Sequence, residues 1–82
     1  MRKTLKDINK IYTDREKQYG SPCESFVEIA KLWSVVMGID VTPKQVALCM
    51  IQLKVYREVN SHKRDNILDV MVYCIALEEL TA

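Results

Sequence analysis

Apolar and polar positions recur at helical spacing along almost the whole chain. From about Thr4 to Lys17, Leu5, Ile8, Ile11 and Tyr12, continued by Tyr19, fall on one side and Lys6, Asp7, Lys10, Asp14 and Lys17 on the other, which predicts an amphipathic first helix ended by Gly20. Ser21-Pro22-Cys23-Glu24 reads as a capping box with proline at the first helical position: the serine satisfies a free amide and the glutamate folds back on the serine. The second helix that starts there offers Phe26, Ile29, Ala30, Leu32, Trp33, Val36 and Met37 to a core and stops at Gly38. Thr42-Pro43-Lys44-Gln45 repeats the start signal, and Val46, Ala47, Met50, Ile51, Leu53 and Val55 follow it in a third helix running to near Glu58. The polar stretch Asn60 to Arg64 reads as a loop, with Asp65 or Ser61 capping a fourth helix to about Leu80. No segment shows the period of two that marks a strand. The expected fold is therefore all-α, a compact four-helix domain over residues 1–82.

The fourth helix carries the most informative residue. Asp69 lies inside a run from Ile67 to Leu77 that is apolar on all sides, so the whole helix, carboxylate included, is expected to be buried. An unpaired buried carboxylate costs several kcal/mol or protonates, so another segment must bring a cationic, hydrogen-bonding or metal partner. Asp65 and Asn66 before it and Tyr73 after it share its face at helical spacing, giving one polar stripe on an apolar helix.

Composition narrows the classes. With 82 residues, 49% of them hydrophobic, the chain is neither disordered nor large enough to bury a deep core, and association into a homo-oligomer is expected. A net charge of +1 argues against a generic phosphate-backbone binder and against sequence-specific nucleic-acid reading, while leaving room for a small anion held by two or three cations. Three widely spaced cysteines, Cys23, Cys49 and Cys74, and the single His62 make no zinc pattern; they read as small hydrophobes in a reducing cytoplasm. The amino terminus lacks a signal-peptide core and the last helix is too short an apolar run to span a bilayer, so a cytoplasmic protein without a membrane partner is expected.

Lys54 and Arg57 sit beside the apolar pattern of the third helix and can point inward. Either one pairs with Asp69 and the other is a surface charge, or both form an anion site in which Arg57 supplies a planar fork, Lys54 a point charge, and Asp69 with Asn66 orients them or meets a ligand's hydroxyls and base. Arg15 and Tyr19 flank the Gly20 turn, an arrangement that could clamp a nucleotide base and phosphate; in the alternative reading Tyr19 staples the second helix and Arg15 is solvated. Glu24 and Glu28 lie one turn apart and could approach a divalent cation, although the capping role of Glu24 competes. Glu78, Glu79 and His62 read as solvated, and Trp33 as core or protomer interface.

The ordered blocks Arg15-Glu16-Lys17-Gln18-Tyr19-Gly20, Phe26 with Ile29-Ala30-Lys31-Leu32-Trp33, Thr42-Pro43 with Val46-Ala47-Leu48-Cys49-Met50, Lys54-Val55-Tyr56-Arg57, and Asp65-Asn66 with Asp69 and Tyr73 resemble a family of small phage and prophage proteins of unknown function. The resemblance covers nearly the whole chain. One departure is Val72 before Tyr73, where the family has a small residue. A more distant likeness is to the MazG-type all-α nucleoside triphosphate pyrophosphohydrolases, whose paired acidic helices hold magnesium; here Asn66 stands for one acid and Glu24 and Glu28 are spaced by four rather than three. The viral resemblance implies the host cytoplasm as location. The residues themselves point to a non-catalytic binder of a nucleotide-like small molecule, needing no cofactor, with Arg15, Tyr19, Lys54 and Arg57 as contacts and Asn66, Asp69 and Tyr73 as the supporting polar stripe, and the viral resemblance adds the role of a sponge for a host nucleotide immune signal. Two alternatives stand beside it: a reduced magnesium-dependent pyrophosphohydrolase using Glu24, Glu28, Asp65 and Asp69, and an inhibitor that docks on a host protein.

Overall fold

The computed structural model describes residues 2–81, the Tyr19 side chain excepted. Four helices follow one another: α1 (Arg2–Tyr19), α2 (Pro22–Met37), α3 (Pro43–Asn60) and α4 (Arg64–Thr81). Among the described residues there is no strand. Helices α3 and α4 form the most extensive pair, α2 packs on α3, and α1 crosses α4 while also touching α2.

Small side chains set how closely the helices approach. Ala30 of α2, Ala47 of α3 and Ala76 of α4 are buried with Phe26 and Val46 in the main core, and Ile8, Leu68 and Val72 form a smaller core under α1. Tyr73 packs on the main core with its ring 5.6 Å from that of Phe26 in a tilted arrangement.

Burial is less complete than the apolar pattern suggested. Leu32, Val36 and Met37 of α2 and Leu53 and Val55 of α3 are exposed rather than core, and α4 shows Ile67, Met71 and Ile75 to solvent instead of being buried all round. Three neighbouring helices cover only the inner faces of α4, so its outer stripe has no protein to meet. Cys49 and Cys74 are likewise exposed, and only Cys23 is partly buried.

The helix ends follow the cap chemistry with two corrections. At α3, Thr42 accepts the Gln45 amide at 3.1 Å and the Gln45 side chain accepts the Thr42 amide at 2.9 Å, a complete capping box. At α2 only half the box forms: Ser21 Oγ accepts the Glu24 amide at 3.2 Å, while no return bond from Ser21 to the Glu24 carboxylate is present among the described residues. That carboxylate lies over Gly20, where a Cβ would come within 2.6 Å of its Oε2. Neither Ser61 nor Asp65 caps α4. The turn after α3 is so tight that Glu58, in the last turn of α3, reaches forward and accepts the Lys63 amide at 3.1 Å. Gly38 closes α2 at φ 71°, a left-handed conformation that a side chain would strain, and its amide donates to Ser34 O at 2.9 Å.

Candidate functional site

Asp69 is 7% exposed, and both its carboxylate oxygens are engaged. Arg15 Nη2 donates to Oδ1 at 2.7 Å and Lys54 Nζ lies 2.9 Å from Oδ2. One carboxylate thus ties α1, α3 and α4 together. The sequence placed Lys54 among the candidate partners, whereas Arg15, expected either to clamp a ligand or to be solvated, is a counterion. It comes from a distant segment, and no local spacing relates it to Asp69. With two cations on one acid, the cluster carries surplus positive charge.

Beside this cluster, at the α3–α4 turn, opens a polar cleft of about 470 Å³ lined by Lys54, Arg57, Asn60, Ser61, Lys63, Asp65, Asn66 and Asp69. Arg57 is exposed and has no ion-pair partner among the described residues. Asn66 is buried and donates through Nδ2 to Glu58 Oε1 at 3.3 Å, with Ser61 O at 3.5 Å. Glu58 is the organiser of the turn: it meets His62, the Lys63 amide and Asn66, and its pKa is lowered chiefly by the hydrogen bond to His62. Sequence reading passed over this role, although Glu58 stands one helical turn before His62. His62 is exposed but not simply solvated, since it sits against that carboxylate.

The expected residues divide. Lys54, Arg57, Asn66 and Asp69 come together at the cleft, and Arg15 joins them through Asp69. Tyr73 turns to Phe26 and the core and is not among the residues lining the cleft. The Tyr19 side chain falls outside the described residues. Glu24 and Glu28 line a different surface depression with Ser25, Val27 and Ile29, and Glu28 pairs at 3.2 Å with Lys31. Among the described residues no three His, Cys, Asp or Glu side chains gather in a group able to hold a metal.

A second polar cluster joins the other end of α4 to α1 and α2. Glu79, expected to be solvated, accepts from Tyr12 at 2.9 Å and from the Cys23 thiol at 3.2 Å. Burial, then the carboxylate, push Tyr12 up to about 12 and Cys23 up to about 11, so Cys23 is a neutral thiol with no nucleophilic character at neutral pH.

Residues 3–81 match the family described as Domain of unknown function (DUF6378). The chain belongs to that family. This DUF6378 chain is also 35% identical over 68 residues to the Gene 55 protein of Mycobacterium phage L5, a match that covers 80% of the chain and 44% of the phage protein. It therefore spans less than half the length of that relative, and the likeness is to a phage protein whose name states no activity. No solved structure matches the chain. No helix among the described residues is long and apolar enough to cross a membrane.

Proposed function

We propose that this phage-like DUF6378 chain binds a small nucleotide-like anion in the cleft at the α3–α4 turn, without catalysis. The observation that carries the reading is the division of labour between neighbouring cations. Lys54 is committed to Asp69, while Arg57, one turn on in the same cleft, is exposed and unpaired among the described residues. A guanidinium fork is suited to bidentate contact with phosphate or carboxylate, and the cleft volume falls in the range of small-ligand sites. In this reading Asp69 and Arg15 position Lys54 rather than touch the ligand, and Asn66 presents its side chain at the cleft wall. A phage would use such a binder as a sponge that removes a host nucleotide immune signal.

The pyrophosphohydrolase alternative draws less support from the geometry, because Glu24 and Glu28 line one depression and Asp65 and Asp69 another. A docking role on a host protein is favoured by one observation: an apolar groove of about 340 Å³ between α3 and α4, lined in part by Val55, Val59, Ile67, Val70 and Met71. Calorimetric titration of the purified chain with nucleoside triphosphates, cyclic dinucleotides and ADP-ribose derivatives, with mass spectrometry of the recovered compounds, separates the readings. An intact retained compound whose binding is lost in Arg57→Ala supports the binder. Release of pyrophosphate supports the enzyme, and a panel left both free and unchanged supports the docking role.

A further inference from the structure

Glu58 lines not the polar cleft but the apolar groove between α3 and α4, and Lys54 and Asn66 belong to both. It nevertheless holds the cleft's wall. Its two carboxylate oxygens have separate tasks: Oε2 meets Nδ1 of His62, while Oε1 accepts the Lys63 amide at 3.1 Å and the Asn66 side-chain amide at 3.3 Å. Lys63 and Asn66 line the cleft, as does Ser61, whose carbonyl lies 3.5 Å from Asn66 Nδ2. His62 thus fixes one oxygen and aims the other.

His62 is the single histidine of the chain, and its side chain is 69% exposed. Imidazole is the side chain whose charge ordinarily changes between about pH 5 and 8. When protonated, both ring nitrogens donate, so the contact with Glu58 is a charge-assisted hydrogen bond. The neutral ring donates through Nδ1 in one tautomer, and in the other a lone pair faces the carboxylate. The bond to His62, then the Lys63 amide, holds the Glu58 carboxylate below its ordinary range, so it stays ionised across this window. Of the other charges around the turn, Lys54 is held by Asp69, and Arg64 by Asp7 of α1 at 2.6 Å. Arg57, Lys63 and Asp65 line the cleft, which leaves Glu58 as the acid against the ring among the described residues.

We propose that protonation of His62 locks Glu58, and through it the Lys63 backbone and the Asn66 side chain, in the positions that shape the cleft. Glu58 and His62 are positioning residues in this device. Its effect on a ligand rests on the anion-binding reading: affinity for the anion rises as pH falls through the imidazole range.

Nuclear magnetic resonance of the full chain between about pH 5.5 and 8, without and with sulfate, tests both levels. Sulfate keeps its charge over that range. Without it, the Asn66 side-chain amide and the Lys63 amide shift along the His62 titration curve. In Glu58→Gln the glutamine keeps a carbonyl oxygen for Lys63 and Asn66 but offers no carboxylate to the imidazolium, so the Asn66 shift is lost with the helical circular dichroism unchanged. With sulfate, binding read at the Arg57 side chain tightens at least about fivefold from the high to the low pH, the lower end of ordinary site coupling, and the gain disappears in Glu58→Gln and in His62→Gln. An Asn66 signal indifferent to the titration overturns the proposal. So does a sulfate gain that persists in Glu58→Gln, because the bare charge of His62 then acts without the carboxylate. Coupled shifts with no sulfate bound at either pH support the lock and overturn the anion-binding reading, which tells the two failures apart.

Discussion

Arg15 on α1 donates to Asp69 on α4 at 2.7 Å across 54 positions of sequence. Lys54 takes the other oxygen of the same carboxylate, so the acid that looked most expensive in the apolar run is the point where three helices meet. Removing the acid leaves Lys54, whose side chain is 15% exposed, beside an unmatched guanidinium. Asp69→Ala should lower unfolding free energy by about 3 kcal/mol, at the lower end for a broken buried pair because Arg15 is partly exposed. Lys54→Met should cost less, since Asp69 keeps Arg15. Urea unfolding of both variants checks the order, and an equal loss would show that the two cations do not share the carboxylate.

Arg57 makes no ion pair among the described residues, so Arg57→Ala should change stability by no more than about 0.5 kcal/mol. The proposed anion binding should vanish with it, and Arg57→Lys should recover only part, because an ammonium cannot make the planar two-point contact. Titration of the three proteins with whichever nucleotide the wild type retains, at two salt concentrations, is the measurement. Full binding by the alanine variant would remove Arg57 from the site.

The Tyr12, Cys23 and Glu79 cluster predicts an alkaline limit. The folded-state pKa values are raised, from 10.0 to about 12 for Tyr12 and from 9.0 to about 11 for Cys23. Folding therefore favours the neutral forms: their contribution is complete below pH 9, declines as the unfolded chain begins to ionise, and is lost as pH rises through the folded values. Thermal unfolding from pH 8 to 11 should show a falling midpoint, with a shallower fall in Tyr12→Phe. At pH 8, iodoacetamide should modify exposed Cys49 and Cys74 well before Cys23.

The two helix starts should differ in strength. Thr42→Ala removes one bond of a closed capping box, leaving the backbone amide at position 42 to hold the Gln45 side chain, and should cost about 1–2 kcal/mol, while Ser21→Ala removes an unreciprocated bond and should cost about 1 kcal/mol or less. Chemical unfolding of both variants gives the comparison, and a larger loss at Ser21 would contradict it.

Much of this molecule is local in origin and so was readable along the chain. Ser21, Pro22, Gly38, Thr42 and Pro43 mark both ends of α2 and the start of α3 through bonds and dihedrals confined to a few neighbouring residues, and those ends lie where the signals put them, whereas the expected caps of α4 did not form. The demand of Asp69 for a partner was equally local, because it followed from the apolar residues on either side. Of the cations that answer it, Lys54 was among the candidates and Arg15 was not. Arg15 reaches Asp69 only after α1 has crossed α4, and Glu79 collects Tyr12 and Cys23 in the same way. Burial also had to wait for tertiary structure: periodicity shows that a face is apolar, but Ala30, Ala47 and Ala76 decide which faces close on one another, leaving Val35, Val36 and Val59 without cover. Sequence alone set the helices and the need for charge compensation, since both arise from neighbours along the chain; the partners, the cleft and the uncovered faces came from packing, which depends on residues the chain brings together only when folded.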